Sequence, residues 1–187
     1  MPALQHTLFF WINLTPGSPA WLMGLARLSS TVLPLVMLLA VFVAFVVGPA
    51  AWRRMALHMV LAMVLAWLIA RGLSDLFPSP RPFVLGLGHQ GLEHKPTPSF
   101  PSSHASLACA FAAAAWTSAP HAIGRWVALL LALLVTWSRV ALGVHFPFDA
   151  LAGALVGGVS ALLMLPLTRI VTRRLAQLRE RLAPAPR

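Results

Sequence analysis

The sequence predicts an all-α integral membrane bundle of about five transmembrane helices with a short interfacial helix at its N-terminus, and three observations predict it. Hydrophobic residues make up 59% of the 187 residues and charged residues only 10%, with a mean hydropathy of +0.81, far from the balance of a soluble globular domain. Uncharged runs of span length recur along the chain, close to the roughly 20 apolar residues that a bilayer-crossing helix needs. The basic residues fall between or after those runs: Arg53, Arg54, Arg125, Arg169, Arg173, Arg174, Arg179, Arg181 and Arg187 are nine of the 14 Lys and Arg. Short basic connections are the positive-inside signature of cytoplasmic loops. Nucleic-acid binding is excluded as a reading of the +10 net charge, because it needs a basic face on a soluble module interleaved with aromatics. One transmembrane domain, 1–187, is expected, with no separate soluble part.

The elements follow in order. Residues 4–14, with Phe9, Phe10 and Trp11, read as an interfacial helix. They lack the basic start and small-residue cleavage site of a signal peptide, so this segment is expected to be retained. Residues 28–48 form an uncharged run containing Pro34, which membrane helices tolerate. The run 55–70 follows Arg53 and Arg54 and continues through Arg71 and Asp75 to Phe77. In 105–124, Pro120 ends the helix near Ser118, and Cys109, the single cysteine, reads as a small core residue. Residues 125–143 carry Arg139 near their far end, and 150–168 meet the basic tail 169–187. With helices alternating up and down, the two basic connections and the tail share one face. Placing that face in the cytoplasm puts the N-terminus, the loop 78–103 and the turn 144–148 outside and the C-terminus inside.

The loop breaks sharply in composition, with six prolines, three glycines and three histidines over residues 78–104, and loops of this length are functional or disordered. Its polar groups converge on the end of the bundle that also holds Arg139, His145 and Asp149. Ionisable groups near a membrane interior are functional candidates by default. One helical turn separates His145 from Asp149. If Pro147 begins the helix, where proline fits best, the carboxylate reaches the imidazole and holds one tautomer, making His145 a nucleophile or a general base. Pro101-Ser102-Ser103-His104 supplies serines suited to N-capping, backbone amides that cradle an anionic oxygen, and a histidine in the first helical turn. Arg81, between Pro80 and Pro82, and Arg139 add guanidinium forks that match phosphate oxygens. The combination reads as a phosphoryl-transfer site.

The pattern Arg-Pro, then Pro-Ser-x-His, then Ser-Arg-x5-His-x3-Asp resembles the type 2 phosphatidic acid phosphatase superfamily of membrane lipid phosphatases. Arg81 and Pro82 carry the first element; Pro101, Ser102 and His104 the second; Ser138, Arg139, His145 and Asp149 the third. The resemblance implies that His145 is a nucleophile forming a phosphohistidine, that Asp149 orients it, and that His104 protonates the leaving group and then activates water. It implies that Arg81 and Arg139, with Ser102, Ser103 and nearby amides, hold the phosphate. It also implies no metal and no cofactor, and the acids Asp75, Glu93, Asp149 and Glu180 are too scattered for a carboxylate magnesium site. The family's first motif begins with Lys seven residues before the Arg; here that position is Ser74. Arg71, on the same helical face, or Lys95 is a candidate replacement, or none is needed. His89, Glu93 and His94 either shape the head-group pocket or lie on the surface.

Arg-Pro-Phe-Val with Gly-Leu-Gly-His and Ser-Phe-Pro-Ser-Ser-His is similar to the small bacterial undecaprenyl-diphosphatases of this superfamily, the bacitracin-resistance type. That similarity implies a polyprenyl diphosphate lipid substrate, drawn from the bilayer of the bacterial cytoplasmic membrane, and a role in recycling the cell-wall carrier. Alternatives are a phosphatase acting on phosphatidylglycerophosphate or phosphatidic acid, a lipid A phosphotransferase using the same donor, or a small anion-binding transporter. The residues leave the oligomeric state open.

Overall fold

A computed structural model describes residues 2–182; the end of the basic tail, Arg187 included, lies outside the described residues. All regular structure among the described residues is helical, with no strand: α1 (Pro2–Ile12), α2 (Ala20–Thr31), α3 (Leu33–Val46), α4 (Ala50–Leu76), α5 (Ser103–Ser118), α6 (Ala122–Ala141) and α7 (Pro147–Leu182), with a short 3-10 turn at Pro82–Leu85. Helices α4, α6 and the Pro147–Leu178 stretch of α7 are long and apolar enough to cross a membrane, and α2 with α3 makes a fourth span if that pair, bent by 42°, counts as one. Their outward faces carry large exposed apolar side chains such as Phe42, Trp67, Leu130, Leu155 and Leu162, as a lipid-facing surface does.

Two expected spans take a different form. The run 28–48 falls on the bent pair α2 and α3, which starts earlier, at Ala20, and breaks at Val32. Pro34, at the second position of α3, has no N–H to donate, and its ring collides with the carbonyl four residues back. Arg27 is tolerated inside α2 because it is exposed and its Nε donates to the Gly91 carbonyl of the long loop, 3.1 Å away. The expected third span is α5, whose 16 residues extend only about 24 Å at 1.5 Å per residue, short of a bilayer core of roughly 30 Å. Five full-length crossings are therefore not seen. Beyond Thr168 the basic tail continues α7 to Leu182; Pro166 lies inside that helix just before the tail.

Helix α5 is the centre of the bundle. Its buried residues are mostly alanine, and Gly153 and Gly157 of α7 face its backbone. A Cβ on Gly157 would lie 2.6 Å from Ala110 N and 2.9 Å from Cys109 Cβ. Small residues let helices approach closely where lipid supplies no hydrophobic drive. Cys109 packs in this seam, half-buried, with Sγ 3.7 Å from Thr136 Oγ1. The main apolar core joins Met37, Val41, Met59, Phe111 and Val135 to these alanines.

Helix α1, the loop 78–102, the start of α5, the end of α6 and the start of α7 meet at one end. Asn13 ties them together: its Nδ2 donates to the carbonyls of His89 and Ala141, and its Oδ1 accepts from His89 N at 2.7 Å. Gly143, at φ +71°, lies against the His89 carbonyl. A side chain there would meet both an unfavourable backbone conformation and that carbonyl, so this glycine lets the chain turn sharply between Arg139 and His145.

Candidate active site

Both ends of the long loop converge on the turn between α6 and α7. Arg81 is buried and makes five hydrogen bonds: Nε to the Thr97 carbonyl, NH2 to Thr97 Oγ1 and the Pro98 carbonyl, and NH1 to the Val144 carbonyl and to His145 Nε2, the last at 3.0 Å. Burial lowers its pKa to about 10, against the opposing attraction of Asp149, so it remains a cation at neutral pH. Pro82, buried, starts the 3-10 turn behind it.

His145 is 2% exposed. Burial first, and then the positive charges of Arg81 and Arg139, hold its pKa well below the usual 6.5, with smaller contributions from His94 and His104. It is a neutral imidazole at pH 7. A guanidinium only donates, so the Arg81 contact assigns Nε2 as the bare nitrogen and Nδ1 as the one carrying hydrogen. Pro147 begins α7 as expected, but the Asp149 carboxylate does not reach the ring: Nδ1 and Oδ2 are 3.9 Å apart, beyond hydrogen-bond length. Ser99 bridges them from one side, its Oγ 3.3 Å from Nδ1 and 2.6 Å from Oδ2. The same Oδ2 accepts the Phe146 N–H at 3.0 Å, so Asp149, in the first turn of α7, also caps its own helix.

Arg139 is 1% exposed. Its NH1 donates to Ser30 Oγ of α2, while Nε and NH2 have no partner. Among the described residues the remaining buried side-chain atoms without a partner are the hydroxyls of Ser29, Ser79 and Ser102, on α2 next to Ser30 and on the two ends of the long loop. Buried donors are almost always satisfied, and among the described residues no carboxylate pairs with Arg139. An anion of phosphate type, with several acceptor oxygens, matches these donors.

The expected serine roles need correction. Ser102 precedes α5 but makes no capping bond; instead its N–H donates to the Asp149 carbonyl at 3.0 Å, locking α5 to α7. Its backbone amide is thus occupied and only its hydroxyl is free. Ser138 Oγ donates to the Val135 carbonyl one turn back, 2.7 Å away, and so braces the turn carrying Arg139 rather than offering a hydroxyl to a ligand. Ser103, half-buried, opens α5 ahead of His104. Arg71 is not in the site: it is exposed and pairs with Asp75 at 3.4 Å. Lys95 is exposed on the loop beside Gln90, Glu93 and His94. His89 is engaged through its main chain with Asn13.

His94 belongs at the site, its ring 6.4 Å from that of His145 in an edge-on arrangement. Burial lowers its pKa, and Arg81 and Arg139 lower it further, against the bond to the Lys95 carbonyl. His104 stands at the head of a narrow apolar groove of about 60 Å³ lined by Pro34, Met37, Leu38, Met63, Leu107 and Val135, so polar donors and a hydrocarbon-compatible wall adjoin. Among the described residues no three His, Cys, Asp or Glu side chains gather to hold a metal ion. Ser99, Ser30 and Asn13 escaped the sequence reading, since their partners lie 46 or more residues away; Ser99 lies only two residues before Pro101.

The family profile described as the PAP2 superfamily matches residues 55–173. Over 166 residues the chain is 34% identical to YbjG of Escherichia coli, provisionally named an undecaprenyl-diphosphatase, spanning 85% of this chain and 80% of that protein. It is 33% identical over 107 residues to a protein of Sulfolobus acidocaldarius named undecaprenyl-diphosphatase, spanning 56% of this chain and 51% of that one. The crystal structure of Aquifex aeolicus LpxE superposes with a TM-score of 0.69 at 25% identity, covering 86% of this chain and 93% of that one.

Proposed function

This multi-pass membrane protein belongs to the PAP2 superfamily, and from that membership we propose that it hydrolyses undecaprenyl diphosphate to undecaprenyl phosphate and inorganic phosphate. The observation that carries the reading is Arg139, a fully buried guanidinium whose Nε and NH2 lack partners beside a neutral histidine with a bare Nε2. The names of the two relatives support the lipid diphosphate, and the apolar groove beside His104 suits a chain that stays in the bilayer.

In this reading the Nε2 lone pair of His145 attacks the terminal phosphorus. The N–P bond forms as the bridging P–O bond breaks, and His104 protonates the departing oxygen. His104 then takes a proton from water as water attacks phosphorus, the N–P bond breaks, and phosphate leaves with Nε2 restored. Arg139 Nε and NH2 donate to phosphate oxygens, and Arg81 NH1 exchanges Nε2 for a phosphate oxygen. Preorganised donors of this kind contribute roughly 3 to 4 kcal/mol each to the transition state. The basic connections at Arg53, Arg54 and Arg125 and the basic end of α7 favour a cytoplasmic C-terminus, five crossings of which α5 is the short one, and a site facing outward from the bacterial inner membrane.

The test is phosphate release by purified protein in detergent without added metal, with undecaprenyl diphosphate, phosphatidylglycerophosphate and phosphatidic acid in parallel. A strong preference for the diphosphate is expected. Equal rates on all three would leave a general lipid phosphatase and remove the carrier-lipid assignment, and no release from any would turn the reading toward phosphotransfer or anion binding.

A further inference from the structure

His145 Nδ1 and Asp149 Oδ2 lie 3.9 Å apart without bonding, and Ser99 Oγ, to one side of both, bridges them. A hydroxyl has a single proton to give. At 2.6 Å from Asp149 Oδ2, Ser99 has the length of a hydroxyl donating to a carboxylate, so its lone pairs face His145 Nδ1 at 3.3 Å. Nδ1 must then donate. The Arg81 contact on the other side of the ring, 3.0 Å from Nε2, independently requires Nε2 to be bare. Two bonds on opposite edges therefore demand the same tautomer.

The geometry points to Ser99 as a positioning residue for the nucleophile proposed above: it holds His145 in the Nδ1–H form and couples the ring to the Asp149 carboxylate. When the Nε2 lone pair forms the N–P bond and the bridging P–O bond breaks, the ring becomes a phosphorylated imidazolium that keeps its Nδ1 proton. The chain from Nδ1–H to Oγ and from Oγ–H to Oδ2 then stabilises that charge without any proton leaving it, and the 3.3 Å bond shortens as its donor becomes cationic. Hydrolysis of the N–P bond returns the electron pair to Nε2. Ser99 is fully buried, so no solvent competes for its hydroxyl. Its backbone N–H donates to the Ser79 carbonyl at 2.8 Å, clasping the two ends of the loop so that Arg81 and Ser99 address opposite edges of one imidazole.

The test begins with nitrogen-15 NMR of histidine-labelled full-length protein in detergent at neutral pH, the His145 signals assigned by their loss in His145→Ala. The Nδ1–H tautomer is expected in the native protein and, because Arg81 still keeps Nε2 bare, in Ser99→Ala as well, where the Nδ1–H signal is expected to move upfield as its hydrogen bond to Oγ is lost. An Nε2–H native tautomer, or an Nδ1–H signal that Ser99→Ala leaves unchanged, would overturn the bridge. In turnover, Ser99→Ala is expected to lower kcat by about 100-fold, as misplacement of a reacting group does, with KM unchanged and Ser99→Thr recovering part of the loss. The Ser99→Ala/Asp149→Asn double variant is expected to be no slower than Asp149→Asn alone, because residues acting as a unit are not additive. Full kcat in Ser99→Ala, or additive losses, would overturn the coupling. The tautomer readout needs no turnover, so a native protein inactive on lipid diphosphate would sink the proposed reaction and leave the bridge to be decided by NMR.

Discussion

Two histidines are buried to the same degree toward opposite ends of this bundle, His145 at 2% and His58 at 0% exposure, and their surroundings differ. His58 of α4 is closed: Nδ1 meets Ser118 Oγ at 2.8 Å and Nε2 meets the Ala161 carbonyl at 2.9 Å, so one imidazole joins α4, α5 and α7. His145 also has two neighbours, but its surroundings are open. Arg139 keeps two free donors, and the other buried side-chain atoms without a partner among the described residues are hydroxyls of the long loop and of α2 next to Ser30. Burial of a polar group does not distinguish a structural histidine from a reactive one. Unused hydrogen-bonding capacity around it does, because leaving such donors without a partner costs free energy that a bound anion recovers.

The largest effect that contrast predicts is at the nucleophile. His145→Ala is expected to lower turnover by at least about 10⁴-fold, the scale for losing a nucleophile, while the protein still folds and elutes as native in detergent. Comparable phosphate release from the variant would remove the distinction between the two histidines. Arg139→Ala is expected to cost about 10²- to 10³-fold in kcat. Arg139→Lys is expected to recover little of it, since an ammonium cannot reproduce the planar fork; full recovery would mean that only charge is read there.

Much of this contrast is local in the sequence, and the rest is not. The spacing of His145, Pro147 and Asp149 is visible because one helical turn brings the groups together whatever the bundle does. The spans announce themselves through hydropathy, and the basic connections through their position. For Asp149 the difference is one of distance: spacing places a carboxylate near an imidazole but does not say whether it bonds directly or stands 3.9 Å away, and a serine 46 positions upstream bridges the two from the side. Ser30 braces Arg139 from 109 residues away, a pairing that exists only once α2 packs on α6. Arg71, one of the candidate replacements for the first-motif Lys, shows the converse. Helical phase brings it to the face of Ser74, but that face points outward and Asp75 satisfies it.

Acid should separate the two ends of the bundle kinetically. The pKa of His145 is depressed below 6.5, so its lone pair is available well into the acid range, and the acid limb it sets in kcat/KM is expected well below pH 6.5. A His145-dependent limb at or above 6.5 would contradict the buried, arginine-flanked ring. The sign for stability follows: neutral burial of His145 favours the fold above pH 6.5, and that contribution is lost as pH falls from 6.5 toward the depressed folded value. The smallest effect on chemistry is expected at His58. His58→Ala removes the ring's bonds to Ser118 Oγ and the Ala161 carbonyl and should cost about 1 to 3 kcal/mol of stability, read as a lower Tm in detergent, with kcat per folded molecule unchanged. A loss of kcat without a loss of Tm would mean that the far end takes part in the reaction.

The most direct measurement is to trap the phosphoryl group. Protein turning over undecaprenyl diphosphate labelled in its terminal phosphate is quenched in alkali, where phosphohistidine survives, and the labelled peptide is identified. Label on His145, none on His58, and none at all in His145→Ala is the result predicted by a bare Nε2 beside unused guanidinium donors. Turnover without label on His145, or label persisting in His145→Ala, would contradict it.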